Sequence, residues 1–215
     1  MPKILFMESE IKQPLLSILM PTIPSRKNVF NVLHSELINQ REAIEGGCES
    51  VEILIDDSER FLEGGKSIGQ KRDSLVQRAS GKYLCFLDDD DWVFPNYLME
   101  LSNACLGGYD SYTFNLLYFC NFFTSIIEMS FENKENEQVK PDGIIKRTIW
   151  HICPILSSIA KTERFQSINY DEDWRWLKLI IPKIKTSVHL DMILHQYNDF
   201  SKSSEAIKIF KHGYK

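Results

Sequence analysis

Two acidic clusters and one short basic stretch carry the chemistry that is legible in this sequence. Asp56-Asp57 and Asp88-Asp89-Asp90-Asp91 each follow directly on an apolar run. Six carboxylates brought together do not all stay ionised without a cation or strong hydrogen-bond donors. A hard divalent cation with oxygen ligands, Mn2+ or Mg2+, bound also to the phosphates of a substrate, meets that need. An acidic run can equally be a solvated loop or a helix cap, so its place in the fold decides. The basic stretch, Gly64 to Arg72, opens a predicted helix whose free backbone N–H groups and dipole favour an anion. It lacks the Gly-x-x-x-x-Gly-Lys-Ser spacing of a P-loop. If it faces the acidic clusters, Lys66, Lys71 and Arg72 complete a pocket with phosphate on one side and metal on the other.

The elements that must position these residues are readable in the first half of the chain. Leu15 to Met20 is a nearly unbroken apolar run closed by Pro21, the pattern of a strand covered on both faces. Apolar residues then recur at Val29/Phe30, Leu33, Leu37 and Ile44, a helical stripe ended by Gly46-Gly47. Val51 to Ile55 predicts a second strand. Ile68, Leu75/Val76 and Ala79 mark a second helix, stopped by Gly81, and Lys82 to Leu87 predicts a third strand. Strand, helix, strand, helix, strand indicates a doubly wound α/β sheet. In such a sheet the ligand lies beyond the carboxyl ends of the strands, where Thr22, Asp56-Asp57 and Asp88 to Asp91 fall.

The second half is less regular. Residues 109–131 read as one or two aromatic-rich strands, with Tyr112, Phe114, Tyr118, Phe119, Phe122 and Phe123 as core. Glu132 to Glu137 reads as a polar loop and Lys140 to Trp150 leads into a further segment. Asp173 to Ile181 predicts a short helix stopped by Pro182, and Val188 to Leu194 a late strand. Trp174 and Trp176 are either an aromatic platform or core packing. His151 reads as structural, and His34 as unimportant.

Composition sets the outer bounds. The chain has 215 residues, 43% hydrophobic and 26% charged, which excludes disorder, collagen and coiled coil. Five scattered cysteines (Cys48, Cys85, Cys105, Cys120, Cys153) form no CxxC pair, so neither a zinc site nor a disulfide framework is expected. No secretory signal and no membrane span are read, and a reducing, cytoplasmic setting follows. The net charge of −5 is uneven: residues 1–139 carry 12 basic and 22 acidic residues, residues 140–215 carry 13 and 8. The basic back, with Lys183, Lys185, Lys202, Lys208, Lys211 and Lys215, is either a solvated face or the binding surface for a polyanion.

Taken together, Ser17-Ile-Leu-Met-Pro-Thr22, Ile55-Asp-Asp-Ser58, Lys71-Arg-Asp73 and Gly81 to Trp92 resemble the successive blocks of family 2 glycosyltransferases with the GT-A fold. Downstream, Tyr170-Asp-Glu-Asp-Trp174 resembles that family's Glu-Asp block, and Leu194-His-Gln-Tyr197 its closing strand. The resemblance spans roughly residues 15–200. It implies an α/β fold of GT-A (Rossmann-like) type, a mostly parallel sheet with helices on both faces in a single domain over 1–215. About 15–110 would be the nucleotide-sugar half and about 111–215 the acceptor half. It further implies a metal-dependent, inverting glycosyltransferase that uses a nucleotide sugar, most readily a UDP-sugar, and that is phage-encoded in one version of the reading, acting then in the host cytoplasm.

Roles follow residue by residue. Donor-binding residues would be Pro21, Thr22, Arg26, Asp56, Asp57, Lys66 and Arg72, with Asp88 or Asp89 on the ribose. Asp90 would hold the metal, with His195 as a further ligand and His189 as its competitor; four consecutive aspartates leave the DxD register open by one residue. Asp173 would be the general base, with Glu172 as the alternative one residue away. Lys71 and Asp73 depart from the Ala and Asn of the family pattern. The acceptor is either a cell-envelope glycan or a hydroxymethylated base in phage DNA. The competing expectations are a nucleotide-sugar-binding protein without transferase activity, and a nucleotidyltransferase. The latter wants a Gly-rich loop after the first strand, which Met20 to Arg26 does not supply.

Overall fold

The computed structural model describes residues 13–44, 50–60, 64–120, 123–133 and 143–199. The expected helix stop at Gly46-Gly47, Cys48, most of the polar loop at 132–137 and the lysines from 202 onward lie outside these residues. Strand β1 (Leu16–Pro21) has all six residues buried and lies between β2 (Val51–Asp56) and β3 (Tyr83–Phe86), parallel to both. Helix α1 (Lys27–Glu42) joins β1 to β2 and buries Phe30, Leu33 and Leu37, while Val29 stays exposed. Helix α2 (Ile68–Arg78) joins β2 to β3. The β-α-β-α-β order therefore stands as expected.

Beyond β3 the sheet turns mixed, in the order β2-β1-β3-β8-β5-β6-β7. The two-residue β8 (Ile155–Leu156) pairs antiparallel with both β3 and β5 (Ser111–Cys120). The aromatic stretch forms a hairpin of β5 and β6 (Phe123–Met129), and β7 (Ile144–Arg147) runs parallel to β6. Tyr112, Phe114 and Tyr118 are core, whereas Phe119 is exposed. The late strand is longer than its apolar pattern: β9 (Ser187–Asp199) lies along β5 with register shifts around Asn115 and pairs with the short β4 (Trp92–Val93). Helix α3 (Tyr97–Cys105) follows β4, and a single turn α4 (Ser157–Ala160) follows β8. Helix α5 (Glu172–Ile180) starts one residue earlier than expected and passes at Ile181 into a 3-10 turn, Ile181–Lys183, that contains Pro182.

Two local features position the site. Ser67 caps α2 by accepting from the Gln70 N–H, and the Gln70 side chain accepts in return from the Ser67 N–H. Two residues past the cap, Gly69 lies so close to the 166–168 loop that an added Cβ would stand 1.9 Å from the Gln166 carbonyl oxygen, and the Gly69 N–H donates to the Ile168 carbonyl. Only glycine admits this approach, which brings the start of α2 against the chain leading into α5. Among the described residues no helix is long and apolar enough to cross a membrane. Cys85, Cys105 and Cys153 are buried free thiols, and burial pushes the Cys85 thiol up to about 12.

Candidate active site

The four side chains of the acidic run differ in their partners, with Arg26 shared by Asp89 and Asp90. Asp88 accepts from Arg72 Nη2 at 2.8 Å and lies 3.3 Å from His151 Nε2. Asp89 accepts from Thr22 Oγ1 and from Arg26 Nη1, each at 2.6 Å. Asp91 accepts from the Asn198 N–H at 2.9 Å and meets His195 Nε2 at 2.8 Å. Asp90 alone keeps its carboxylate open. Its side chain is 43% exposed against 24%, 5% and 1% for Asp88, Asp89 and Asp91, and its ion pair is a 3.1 Å contact with Arg26 Nη1. The apolar strand before it and β4 after it make the run a strand-end loop, not a helix cap.

Electrostatics separate the four further. Burial and the charges of Asp88 and Asp91 raise Asp90 to about 6, against the pull of Arg26. Asp88 is held well below the usual carboxylate range because Arg72 and His151 outweigh its burial. Asp90 is thus a hard oxygen donor crowded by like charge, and a divalent cation there would relieve the crowding. Among the described residues no three His, Cys, Asp or Glu side chains converge as a complete metal site. A cation on Asp90 would take its remaining ligands from water or from the oxygens of a bound substrate.

The expected donor residues gather at the ends of β1, β2 and β3. Pro21 and Asp56 are register partners, and the Thr22 N–H donates to the Asp56 carbonyl at 2.9 Å. Asp56 is buried and held below its usual value: Lys66 Nζ at 2.7 Å and the Ser58 hydroxyl and N–H outweigh its burial. Asp57 is exposed. Lys71, read as an anion contact, is a buried clamp, since Nζ donates to the carbonyls of Thr22 and Ser58 and so fastens two strand ends together. Arg72 is the buried centre. Its Nε donates to Glu172 at 3.1 Å, its guanidinium stacks 4.9 Å over the Phe86 ring, and Nη1 has no hydrogen-bond partner among the described residues. A buried guanidinium N–H without a partner is costly, and an anion would satisfy it.

The residues expected on the acceptor side come from the start of α5. Asp171, the residue before it, takes a left-handed backbone (φ 65°), a conformation aspartate tolerates better than most residues. Glu172 is buried and turned onto Arg72, so its carboxylate is already spoken for. Asp173 stays partly open. Its Oδ1 accepts from the Trp174 N–H at 2.7 Å and its Oδ2 from Trp150 Nε1 at 3.3 Å. Its Oδ2 also lies 3.1 Å from His151 Nδ1, within ion-pair range though off hydrogen-bond alignment. Despite burial, His151 and Arg72 hold Asp173 well below the usual carboxylate range. Trp150 stands edge-on to Tyr197 at 5.1 Å, and Tyr197 stacks on Tyr118, making an aromatic wall beside Asp173. Trp176 is buried and stacked on Phe165, so it is core, while Trp174 is partly exposed under Lys178.

Two expectations, both about histidines, need correction. His195 does not reach the open carboxylate: its ring is fully buried and Nε2 is taken by Asp91, so it latches β9 to the acidic loop. His189 is exposed near the start of β9, opposite Thr113, and belongs to no part of the site. Lys183 is tied to Glu163, and it and Lys185 follow the far end of α5, roughly 15 Å of helix from Asp173, while the other lysines of that expected face lie outside the described residues. His151 and Trp150 were missed as site residues. A lone His before Cys-Pro carries no spacing signal, and only the fold shows that it meets both Asp88 and Asp173.

The mixed α/β sheet with its surrounding helices has a fold found among solved structures. Crystal structures of TarS from S. aureus share this fold. The chain matches TarS 1–349 in complex with UDP-GlcNAc with a TM-score of 0.59 and 11% identity, over 89% of this chain and 60% of that one. Against TarS 1–349 in complex with UDP the TM-score is 0.62 at 12% identity, over 86% and 60%. A structure of TarS is covered over 37% of its length at a TM-score of 0.60 and 13% identity. The chain thus spans well under two thirds of TarS, and at such identity the likeness is one of fold. No protein-family model and no curated protein matches the sequence.

Proposed function

We propose that this protein is a metal-dependent, inverting glycosyltransferase that moves a sugar from a UDP-sugar to an acceptor hydroxyl in the cytoplasm. The observation that carries the reading is the placement of Asp173 opposite the acidic strand end. One part-open carboxylate, at the start of α5, faces Asp88 across a single buried imidazole. The UDP-GlcNAc and UDP bound to TarS, whose fold this chain shares, support the choice of donor.

In this reading Thr22, Asp56, Lys66 and Asp89 frame the nucleoside, and Arg26 and Arg72 contribute positive charge for the diphosphate. Asp90 would hold Mn2+ or Mg2+, which supplies Lewis-acid stabilisation of the leaving diphosphate. Asp173 accepts the proton of the acceptor hydroxyl as its oxygen bonds to the anomeric carbon, while the bond from that carbon to the diphosphate oxygen breaks and UDP departs. Asp173 is a weak base before reaction, but the attacking oxygen becomes strongly acidic as its new bond forms, so the transfer runs downhill late in the step. Attack from the side opposite the leaving group inverts the anomeric centre, and a second carboxylate under the sugar is not required. The acceptor would be a glycan hydroxyl or a hydroxymethylated DNA base.

A screen of nucleotide sugars for hydrolysis with Mn2+ or Mg2+, followed by mass spectrometry of candidate acceptors, tests this. Cleavage of a UDP-sugar that stops with EDTA is the expected result. Nucleotide-sugar binding without cleavage or transfer would instead mark a binding protein.

A further inference from the structure

We propose that His151 is a positioning residue, set against the Asp173 carboxylate by an ion-pair contact at Nδ1 and tied to Asp88 by a hydrogen bond at Nε2. The inference rests on the glycosyltransferase reading and gives the base a specific mounting. The ring is 3% exposed, with Asp88 Oδ2 3.3 Å from Nε2 and Asp173 Oδ2 3.1 Å from Nδ1. Its main chain is fixed to the central sheet: the Phe86 N–H donates to the His151 carbonyl at 3.2 Å, and the Cys85 thiol donates to the next carbonyl, Ile152, at 2.9 Å. Phe86 and Trp150 pack edge-on against the ring at 5.9 and 5.4 Å.

An imidazole placed this way has little freedom, and it passes that constraint to Asp173. The carboxylate's other anchors are the Trp150 indole and the Trp174 N–H, and Trp150 is the neighbour of His151 in sequence. The base is therefore mounted from the segment that follows β7 as much as from α5, its own helix. Through Nε2 the same ring reaches Asp88, which Arg72 shares with Glu172, so the donor end and the acceptor end of the site are joined by one side chain. A mere core histidine would satisfy one nitrogen on a carbonyl. This one has a carboxylate at each nitrogen, and each carboxylate belongs to the site.

Asn and Gln substitutions separate the two arms, because an Asn amide nitrogen falls near Nδ1 and a Gln amide nitrogen near Nε2. With a UDP-sugar donor, H151A and H151Q should lose on the order of 10- to 100-fold in kcat with little change in donor KM, the size expected when a reacting group is displaced by about an ångström. H151N should recover a substantial part of that loss. Equal rates for H151A and wild type, or recovery by H151Q and not H151N, would overturn the proposal. A two-bond 1H–15N spectrum of the His151 ring needs no turnover. Asp173→Asn should move the Nδ1 resonance and Asp88→Asn the Nε2 resonance, and an unmoved Nδ1 would also overturn it. Wild type that transfers no sugar would defeat the glycosyltransferase reading instead, while the spectrum still decides whether His151 contacts Asp173.

Discussion

Arg72 and Glu172 stand 100 positions apart in the chain, yet the Arg72 Nε donates to Glu172 Oε1 at 3.1 Å with both side chains buried. The same guanidinium reaches Asp88, so the start of α2, the end of β3 and the start of α5 share one cation. The loop carrying Gln166 packs on Gly69 and makes this meeting possible. The arrangement of the candidate site and fold stability therefore depend on the same residue.

Replacing Arg72 should show that dependence. Arg72→Met leaves the buried Glu172 without its ion-pair partner and Asp88 with His151 alone, a loss of about 3–5 kcal/mol for one partner of a buried pair. Arg72→Lys should recover little, because one ammonium cannot supply the two separate donors that the guanidinium fork provides. Urea or thermal denaturation measures this, and an unchanged midpoint for Arg72→Met would contradict it.

Asp90 sets a pH window. Its carboxyl titrates at about 6 in the folded chain, above the ordinary carboxylate range, so folding takes up a proton between the two values. Stability should then fall as pH rises through that window, and Asp90→Asn should remove the fall. Metal binding has the opposite sign, since the cation needs the ionised form. Mn2+-dependent UDP binding, followed by calorimetry from pH 5 to 8, should strengthen through about pH 6 and vanish in Asp90→Asn. A flat profile in wild type would show that Asp90 does not hold the cation.

His195 should behave as a structural latch. Fully buried against Asp91, its loss in His195→Ala removes a hydrogen bond and opens a cavity, and should cost about 2–4 kcal/mol of stability. The dependence of UDP binding on Mn2+ concentration should stay close to that of wild type below the melting range. Loss of Mn2+ dependence in a folded His195→Ala protein would restore the metal-ligand assignment.

The strand–helix order through Phe86 was legible because β1 and β3 are buried throughout and all three strands read as largely apolar runs. The second half was less so. The two-residue β8 carries too few residues for any periodicity, and β9 is half-exposed through much of its length, so its later, polar residues Gln196 to Asp199 look like loop. Among site residues, Thr22, Asp56 and Arg72 were legible from their places at strand and helix ends. The division of labour within Asp88 to Asp91 was not. Which aspartate stays open depends on partners at Thr22, Arg26, His151 and His195, and no local pattern announces those pairings. Glu172 and Asp173 could not be told apart for the same reason: Arg72 decides between them.

The most direct test of the account is steady-state transfer from a UDP-sugar with Mn2+ by wild type and Asp173→Asn. As the base, Asp173 should be worth about 10²- to 10⁴-fold in kcat, with UDP affinity nearly unchanged because donor contacts lie on the other strand ends. Transfer by Asp173→Asn at the wild-type rate would contradict the assignment of the base, and with it the reading of this site.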